Sequence, residues 1–485
     1  MLVDSGGSML TRDEILAIYA AGPEAVVSVI EQLQKELLAL SARVQALEDR
    51  LRKDSHNSHK PPSSDGLARG APKSLRGKSG KAPGAQPGHP GQTLRPVEEA
   101  DEFRLHAPPA CAHCGTSLEA VAPWATERRQ VFDLPKLALH VTEHQAQTKC
   151  CPCCGQSTKA AFPAGVSQTA QYGAGILALS VYLQTYQLLP YARSAELLRD
   201  LFGRAPSEGT LAAALEQAYT RLAPVEQEIR AAIHRASVVH FDETGIRVQA
   251  RLHWLHTAST QRLTFYAAHP KRGRKAIDAL GVLPEMAGTR VHDAYTSYLS
   301  YDGAYALCNA HLLRDLIGLE ERSPQAWIQG MLALLRQMKQ QVERASEAGA
   351  SALEGAQLAA LEACYDALLA QGRSDNPVLP RTGKIGRRKQ TPAQNLLDRL
   401  DRHRDAVLAF VHDFAVPFDN NLAERDLRMA KVQQKISGGF RTAHGAALFC
   451  RIRGYISTLR KQKSSVLTAL RSLFTESPFM PQLQS

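Results

Sequence analysis

The residues of this 485-residue chain best suited to catalysis are carboxylates placed in otherwise apolar segments. VVHFDETGIRV, residues 238–248, alternates like a buried strand but contains Asp242. GTRVHDAYTSY predicts a later strand that ends on Asp293, and DNNLAERDLR predicts a capped helix with Glu424 in its first turn. We predict that these three carboxylates converge on one site.

Such a cluster suits phosphodiester chemistry. Charge develops on the attacking and the leaving oxygen, and two Mg²⁺ ions about 4 Å apart can stabilise both. Hard divalent cations bind oxygen ligands, whereas clustered carboxylates without cations repel one another. We therefore predict Mg²⁺, or Mn²⁺, as the cofactor bound by Asp242, Asp293 and Glu424.

Alternatives exist for two of the three acids. Glu243 could replace Asp242, because neighbouring strand residues face opposite ways. We favour Asp242 because its register turns Phe241 into the core on the other face. Asp302 and Asp315 are the competitors for Asp293. His292 and His311 are expected to support the site from behind and not to act in catalysis.

Six of the nine cysteines lie between Cys111 and Cys154, in the knuckles CAHCG and CPCCG. Two knuckles supply four thiolates for a closed, structural Zn²⁺ site of the zinc-ribbon type. Between them, RRQVFDLP and LHVTEHQAQ alternate like short strands. The predicted ligands are Cys111, Cys114, Cys151 and Cys154, although Cys150 and Cys153 form an alternative pair in the second knuckle.

The formal net charge of +11 favours a polyanionic partner, and double-stranded DNA fits the predicted chemistry. No apolar run reaches the roughly 18 residues that a membrane span needs. The N-terminus MLVDSGGSML lacks the pattern of a signal peptide. We expect a cytoplasmic, nucleoid-associated protein without a membrane partner.

A heptad pattern precedes these segments. Its apolar positions follow alternating spacings of three and four, on one seam of a helix, and are Ile30, Leu33, Leu37, Leu40, Val44, Leu47 and Leu51. The narrow seam favours self-association as a coiled coil and hence a homo-oligomer. A long helix packed on its own protein is the alternative.

Two further segments have more than one interpretation. Residues 54–96 are rich in Pro, Gly, Ser and basic residues, and predict a flexible linker that is a DNA tether or a plain spacer. Residues 165–235 turn helical, and Ser207 is placed as a helix N-cap. They predict a helix-turn-helix-like DNA-binding domain or, equally, an all-helical packing domain.

The segment after residue 236 follows a βββαβαβ order, the layout of an RNase H-like fold. The fold class is a multidomain α+β protein with an RNase H-like core and a helical insertion. The predicted domains are 1–53 coiled coil, 54–96 linker, 97–164 zinc ribbon, 165–235 helical domain, 236–310 core, 311–415 helical insertion, 416–437 final core helix and 438–485 C-terminal helical element.

Basic side chains near this core are the predicted DNA contacts. Arg428, Lys431 and Lys435 share a helix face with Glu424, although an ordinary solvated face would show the same spacing. The loop RTGKIGRRKQ interrupts the helical insertion. Its predicted contacts are Arg387, Arg388 and Lys389.

In order along the chain, NSHKPPSSDG, the two knuckles, HFDETGIRV, HDAYTSY, CNAHLLRDL, DNNLAERDLR and GGFRTAHGAALFCRIRGYISTLRKQ resemble the insertion-sequence-66 family of bacterial transposases. The resemblance covers nearly the whole chain. It implies a DDE transposase whose triad is Asp242, Asp293 and Glu424, and whose substrates are the terminal inverted repeats of its element and target DNA. It also implies that the N-terminal helix and zinc segment serve assembly and DNA binding; accessory proteins of the same element are further candidate partners.

Two rival functions share much of this pattern. An RNase H-like nuclease would cut DNA without joining it, and would not be expected to need the coiled coil, zinc ribbon and insertion. A catalytically silent DNA-binding repressor would not be expected to keep three acids. The sequence does not favour a recombinase with a covalent Ser or Tyr intermediate, because no Ser or Tyr lies in an obvious catalytic constellation.

Overall fold

A computed structural model of the chain describes residues 11–54, 56–58, 93–377, 390–475 and 477–484. Two compact units divide it. The larger unit spans Met1–Lys73, Tyr172–Ser194 and Ser207–Ser485, and the smaller one spans Ser74–Gln171 and Ala195–Pro206. The candidate site lies entirely in the larger unit.

Two helices open the larger unit, α1 (Arg12–Ala20) and α2 (Pro23–Arg52). Thr11 and Glu14 form a capping box at the start of α1, and a proline begins α2, where its missing N–H costs nothing. All seven heptad positions of α2 are exposed, from 47% to 77% of their surface. The seam is therefore available to a second helix.

The predicted linker begins with an ordered turn. Asp54, His56, Asn57 and Ser58 are half-buried, whereas residues 59–92 lie outside the described part of the chain. The linker prediction misses this turn, because polar side chains that bond one another give no apolar pattern in the sequence.

The smaller unit contains a two-stranded antiparallel sheet around the second knuckle, β1 (Thr148–Cys150) and β2 (Ser157–Lys159). An isolated bridge joins Ala110 to Ser117 across the first knuckle. The prediction of short strands between the knuckles is wrong, since the described residues 119–147 contain none. Alternation alone does not make a strand where no neighbouring strand supplies hydrogen bonds.

A helical segment leads into the main sheet. It consists of α3 (Ala174–Val181), a π-helical turn (Tyr182–Tyr186), α4 (Tyr191–Phe202), α5 (Glu208–Arg221) and α6 (Ala223–His234). As predicted, Ser207 caps α5, where its side chain accepts a hydrogen bond from the Thr210 amide. Apolar residues of α3, α5 and α6 share one core with the sheet.

The sheet has five strands and one intervening helix: β3 (Val238–Val248), β4 (Arg251–Ser259), β5 (Thr264–His269), α7 (Arg274–Leu280), β6 (Thr289–His292) and β7 (Tyr305–Leu307). Their order across the sheet is β5-β4-β3-β6-β7. The first three are antiparallel neighbours, while β6 runs parallel to both β3 and β7. The connection from β6 to β7 contains a three-residue 3₁₀ turn, Tyr298–Ser300, instead of a full helix.

Only helices follow β7 in the described residues. Five of them form a separate core: α8 (Asn309–Glu320), α9 (Ala326–Glu347), α10 (Gly355–Asp375), α11 (Pro392–Arg402) and α12 (Arg404–His412). Of the last three, α13 (Asn421–Ser437) and α14 (Ala443–Lys461) return to the sheet, and α15 (Val466–Thr475) packs on α3. The chain is thus a mixed α+β protein in which α13 crosses the central strand β3.

Candidate active site

The sheet brings the first two predicted acids side by side. In the parallel pairing of β3 with β6, His240 lies level with Val291. Two residues further along both strands, the same register places Asp242 level with Asp293, just beyond the end of β6. Residues separated by 51 positions in the sequence are therefore brought near one another because two neighbouring strands run in the same direction.

Asp242 is surrounded by negative charge. Burial raises the pKa of its carboxyl well above the ordinary range, and the charges of Glu243, Glu424 and Asp293 raise it further. A backbone N–H from Glu243 donates to Oδ1 over 2.8 Å and only partly opposes these effects. Asp242 is thus held where a bound cation would relieve a real electrostatic cost.

Asp293 is fixed by the turn that follows β6. Its Oδ1 accepts the backbone N–H of Tyr295 over 2.9 Å, which closes a local side-chain-to-backbone turn. His292, just before it, is buried with its ring stacked against Tyr298 and Tyr305. The histidine packs in the core behind the carboxylate and does not enter the site.

Glu424 approaches from the first turn of α13, as predicted. Its Oε1 is buried, accepts no hydrogen bond and lies 3.8 Å from Nε2 of His311. Burial raises the pKa of the Glu424 carboxyl, while the cations of Arg314 and Arg428 lower it. Burying a carboxylate oxygen without a hydrogen-bond donor costs free energy. Metal binding is one common reason for such an oxygen to occur in a protein.

Asn420 fixes the start of α13 against β3 and is 2% exposed. Its Oδ1 accepts Nδ1–H of His240 over 2.9 Å, and its Nδ2 donates to the Phe241 carbonyl over 2.7 Å. Its backbone N–H donates to Sγ of Cys308 over 3.1 Å. The residues flanking Asp242 and Glu424 are therefore joined through one buried amide.

Asp426 anchors the next turn of α13. Its Oδ2 accepts hydrogen bonds from Ser259 over 2.5 Å, from Thr264 over 3.1 Å and from the ammonium of Lys461 over 2.7 Å. Because Asp426 is two residues after Glu424, the two carboxylates leave the helix on opposite sides. Asp426 binds residues of the sheet, while Glu424 faces the candidate site.

Glu243, the acid next to Asp242, has partners of its own. Its carboxylate accepts Nε–H of Arg272 over 2.7 Å and the hydroxyl of buried Tyr298. The Arg272 guanidinium in turn lies over the rings of Trp254 and Tyr295, 4.8 Å and 4.0 Å from their centroids. Glu243 is thus held by its own cation.

The other acids considered do not join the cluster. Asp315 pairs with Arg399 on α11, and Asp302 is exposed near Arg290. Among the described residues, one group of three metal-ligand side chains has all its donor atoms within 4.8 Å of one another: Cys308, His311 and Glu424. Asp242 and Asp293 do not belong to it, so the three predicted acids are electrostatic neighbours without closing to ligand distances around one point.

The donor set nevertheless fits hard divalent cations. Carboxylate oxygens are the ligands that Mg²⁺ and Mn²⁺ prefer. The orphaned Oε1 of Glu424 is a ready ligand. Asp242, Asp293 and Glu424 would hold the metal.

A family model described as Transposase IS66 family matches residues 169–448, more than half of the chain and all three acids. This protein is a transposase of the IS66 family. A second model, a family of unknown function (DUF6444), matches residues 19–95. No curated protein matches the transposase.

Among solved structures, the transposase is similar to the Drosophila P element transposase strand transfer complex at 10% sequence identity. The match covers 63% of this chain and 95% of that one, with a TM-score of 0.33.

The two knuckles of the transposase have the same backbone geometry. Cys111 and Cys151 each donate from the amide to a carbonyl five residues on and accept from a glycine four residues on, over 2.8 Å to 3.0 Å. Gly115 and Gly155 have φ of 74° and 71°, a conformation that favours glycine. This likeness favours the pairs Cys111–Cys114 and Cys151–Cys154. The four sulfurs form no mutual cluster among the described residues.

The predicted DNA contacts differ in exposure. Arg428 and Lys435 are exposed on α13, whereas Lys431 is half-buried and its ammonium donates to the Gly245 carbonyl over 2.8 Å. Lys431 thus helps to attach α13 to β3. The loop residues Arg387, Arg388 and Lys389 lie outside the described residues.

Sequence reasoning missed three residues that position the site: Asn420, Asp426 and Arg272. Asn420 and Asp426 belong to the DNNLAERD run that drew attention to Glu424. Their polar side chains sit beside apolar positions of the helix, a pattern that could have marked buried, hydrogen-bonded residues. Arg272 lies in a basic loop and carries no comparable signal.

In the part of the chain that the structure describes, no helix combines the length and apolar character needed to cross a membrane.

Proposed function

We propose that this protein is a DDE transposase that binds the terminal inverted repeats of its element, cleaves the DNA and joins the 3′ ends to target DNA. One observation carries the proposal. In a member of a transposase family, carboxylates from a strand, a strand end and a helix become electrostatic neighbours, and one of their buried oxygens has no hydrogen-bond donor.

The proposed reaction consists of two in-line phosphoryl transfers. Water attacks the phosphorus at the element end, the P–O3′ bond breaks, and the departing oxygen leaves as a 3′-hydroxyl. That hydroxyl then attacks a target phosphorus; a new P–O3′ bond forms and the target's own 3′-oxygen leaves with the proton. Divalent cations, when bound, supply charge stabilisation for the attacking and leaving oxygens.

The protein's own residues set the geometry for this chemistry. Asp242 and Asp293 are held at one level by strand register, and Asn420 and Asp426 hold α13 so that Glu424 faces them. The pairing of Glu243 with Arg272 keeps a fourth carboxylate engaged elsewhere. Catalysis of this type depends mainly on such positioning and on electrostatics.

We also propose an RNase H-like core. The support is the strand order β5-β4-β3-β6-β7, with three antiparallel strands followed by two parallel ones, and an acid on the central strand. Residues 311–415 would then be an insertion between β7 and the last core helix.

Double-stranded DNA is the proposed partner. The exposed side chains of Arg428 and Lys435 follow Glu424 along α13 and would contact phosphates beside the site. The helical segment 165–235 would contribute further contacts. Since the substrate is DNA, the protein would work at the nucleoid.

The remaining segments suit assembly. The exposed seam of α2 would pair with that of a second copy, because seven apolar positions in heptad spacing face solvent. The knuckle cysteines Cys111, Cys114, Cys151 and Cys154 would bind a structural Zn²⁺, with accessory proteins of the element as further partners.

A cleavage and joining assay tests the proposal. The substrate is a labelled duplex carrying the inverted repeats of the element, mixed with plasmid target in Mg²⁺ or Mn²⁺. We expect nicked ends and joined products, both lost in Asp293→Ala while DNA binding is retained. Cleavage without joining would instead identify a nuclease, and binding without either product would identify a repressor.

A further inference from the structure

The turn that follows α2 packs against α8. We name it the Asn57 turn and define it as Asp54, His56, Asn57 and Ser58. Within it, Asp54 Oδ1 accepts the backbone N–H of His56 over 2.8 Å and of Asn57 over 3.2 Å, while Asn57 Oδ1 accepts the Asp54 N–H over 2.9 Å. The turn is therefore a built structure.

Two contacts join the turn to α8. Asn57 donates from Nδ2 to Oε2 of Glu321, the residue that follows α8, over 2.6 Å. The Asn57 carbonyl oxygen lies so close to Gly318 that a Cβ there would meet it at 2.3 Å. Both contacts link residues more than 250 positions apart in the sequence.

Gly318 is otherwise a poor choice for its position. It is buried inside α8 and does not have the left-handed backbone that would require glycine. Glycine inside a helix costs about 0.5–1 kcal/mol relative to alanine. The close approach of the Asn57 backbone explains why residue 318 is a glycine, since any larger residue would place a Cβ against it.

We propose that the Asn57 turn is a docking element that fastens the N-terminal helix to α8 of the same chain. It would join the segment matched by the family of unknown function, residues 19–95, to the segment matched by the transposase family, residues 169–448. Gly318 is seven residues from His311 on the same helix, about 10 Å along its axis. The docking element thus connects the helix with the exposed seam to the helix whose first turn contacts Glu424.

The decisive experiment is hydrogen–deuterium exchange of the full chain carrying Gly318→Ala. Alanine is the better helix former, so without docking this change leaves residues 54–58 unaffected and α8 as protected or more so. With docking, the new Cβ displaces the turn, and exchange of residues 54–58 accelerates about tenfold while α8 stays protected. Gly175→Ala in α3, where a Cβ meets nothing within 4 Å, is the matched control and leaves residues 54–58 unchanged.

A second variant leaves Gly318 in place and adds a negative charge to the turn. Asn57→Asp replaces the donor facing Glu321 by a carboxylate, and repulsion releases the turn with a similar increase in exchange. Adding Glu321→Gln restores a donor and restores protection. Unchanged exchange in both Gly318→Ala and Asn57→Asp overturns the proposal.

Dilution separates docking within a chain from docking onto a second copy. Protection of residues 54–58 that is the same above and below the concentration at which the oligomer dissociates supports docking on the chain's own α8. Protection that disappears with the oligomer overturns it and assigns the turn to a second copy. None of these measurements depends on DNA cleavage, so they remain informative whatever the reaction is.

Discussion

The side-chain amide of Asn420 donates a hydrogen bond to the backbone carbonyl of Phe241 over 2.7 Å. Phe241 precedes Asp242, and Asn420 precedes Glu424 by four residues. In Asn420→Asp, a carboxylate oxygen would face that carbonyl, and we expect DNA cleavage to fall about 100-fold and the unfolding free energy to fall about 2 kcal/mol.

Asn421→Asp is the matched control for that change. Asn421 is exposed at the first position of α13, where a negative charge favours the helix dipole. Single-turnover cleavage and urea unfolding should show little loss in the control. Equal losses in both variants would contradict the positioning role of Asn420.

Asp242→Asn should stabilise the metal-free protein. Its carboxyl pKa is raised in the folded state, so the stability it contributes is present below the ordinary value of 3.8 and is lost as pH rises through the folded value. At pH 7 in EDTA we expect a melting temperature higher by roughly 2 °C for each kcal/mol of repulsion relieved. Mg²⁺ should raise the melting temperature of the natural protein more than that of the variant. Exposed Asp302→Asn is the control, and a lower melting temperature for Asp242→Asn in EDTA would refute the electrostatic argument.

Arg272→Lys should destabilise the protein although it keeps the charge. Lysine can pair with Glu243 but cannot present a planar guanidinium to Trp254 and Tyr295. We expect a loss of about 1–2 kcal/mol in chemical unfolding. Arg274→Lys, an exposed arginine 5.3 Å from Tyr301, should change stability by less than about 0.5 kcal/mol. No difference between the two would mean that the rings contribute nothing.

Serine substitutions can establish the register of the second knuckle. If Cys151 and Cys154 are the ligands, replacing either should lower bound zinc per chain, measured by elemental mass spectrometry. Cys150→Ser and Cys153→Ser should keep the zinc content of the natural protein. Zinc loss in Cys150→Ser and Cys153→Ser would instead identify Cys150 and Cys153 as the ligands.

The heptad seam makes a prediction about oligomeric state. Leu37→Lys places a charge on the seam and should shift the protein towards monomer in sedimentation. Leu38→Lys is the matched control, since Leu38 is 71% exposed on the same helix but lies off the seam. Oligomers that survive Leu37→Lys would favour another interface.

Local patterns predicted the elements that carry the three acids. Alternation in residues 238–248 predicted β3 with Phe241 in the core, and Phe241 is indeed buried among apolar residues. The placement of Asp293 at a strand end and of Glu424 in a first helical turn also followed from local rules. These features depend on neighbouring residues alone, so one sequence is enough to find them.

What the sequence could not predict depends on contacts between distant segments. Asn420 bonds with residues about 180 positions away, and the Asn57 turn meets α8 across more than 250 positions. The incorrect prediction of strands between the knuckles has the same origin, because a strand forms only where a second strand pairs with it. Local chemistry indicates which residues could act, whereas tertiary pairing decides which of them meet.

The backbone amide of Asn309 donates to the carbonyl of Phe418 over 3.0 Å. The polypeptide that leaves the sheet after β7 therefore comes back to within one hydrogen bond of its point of departure before α13 begins. The segment between these two residues is therefore an excursion whose two ends meet beside the sheet. The long sequence separation between the second and third acids is thus the length of this excursion, and it does not measure the distance between the acids in the folded protein.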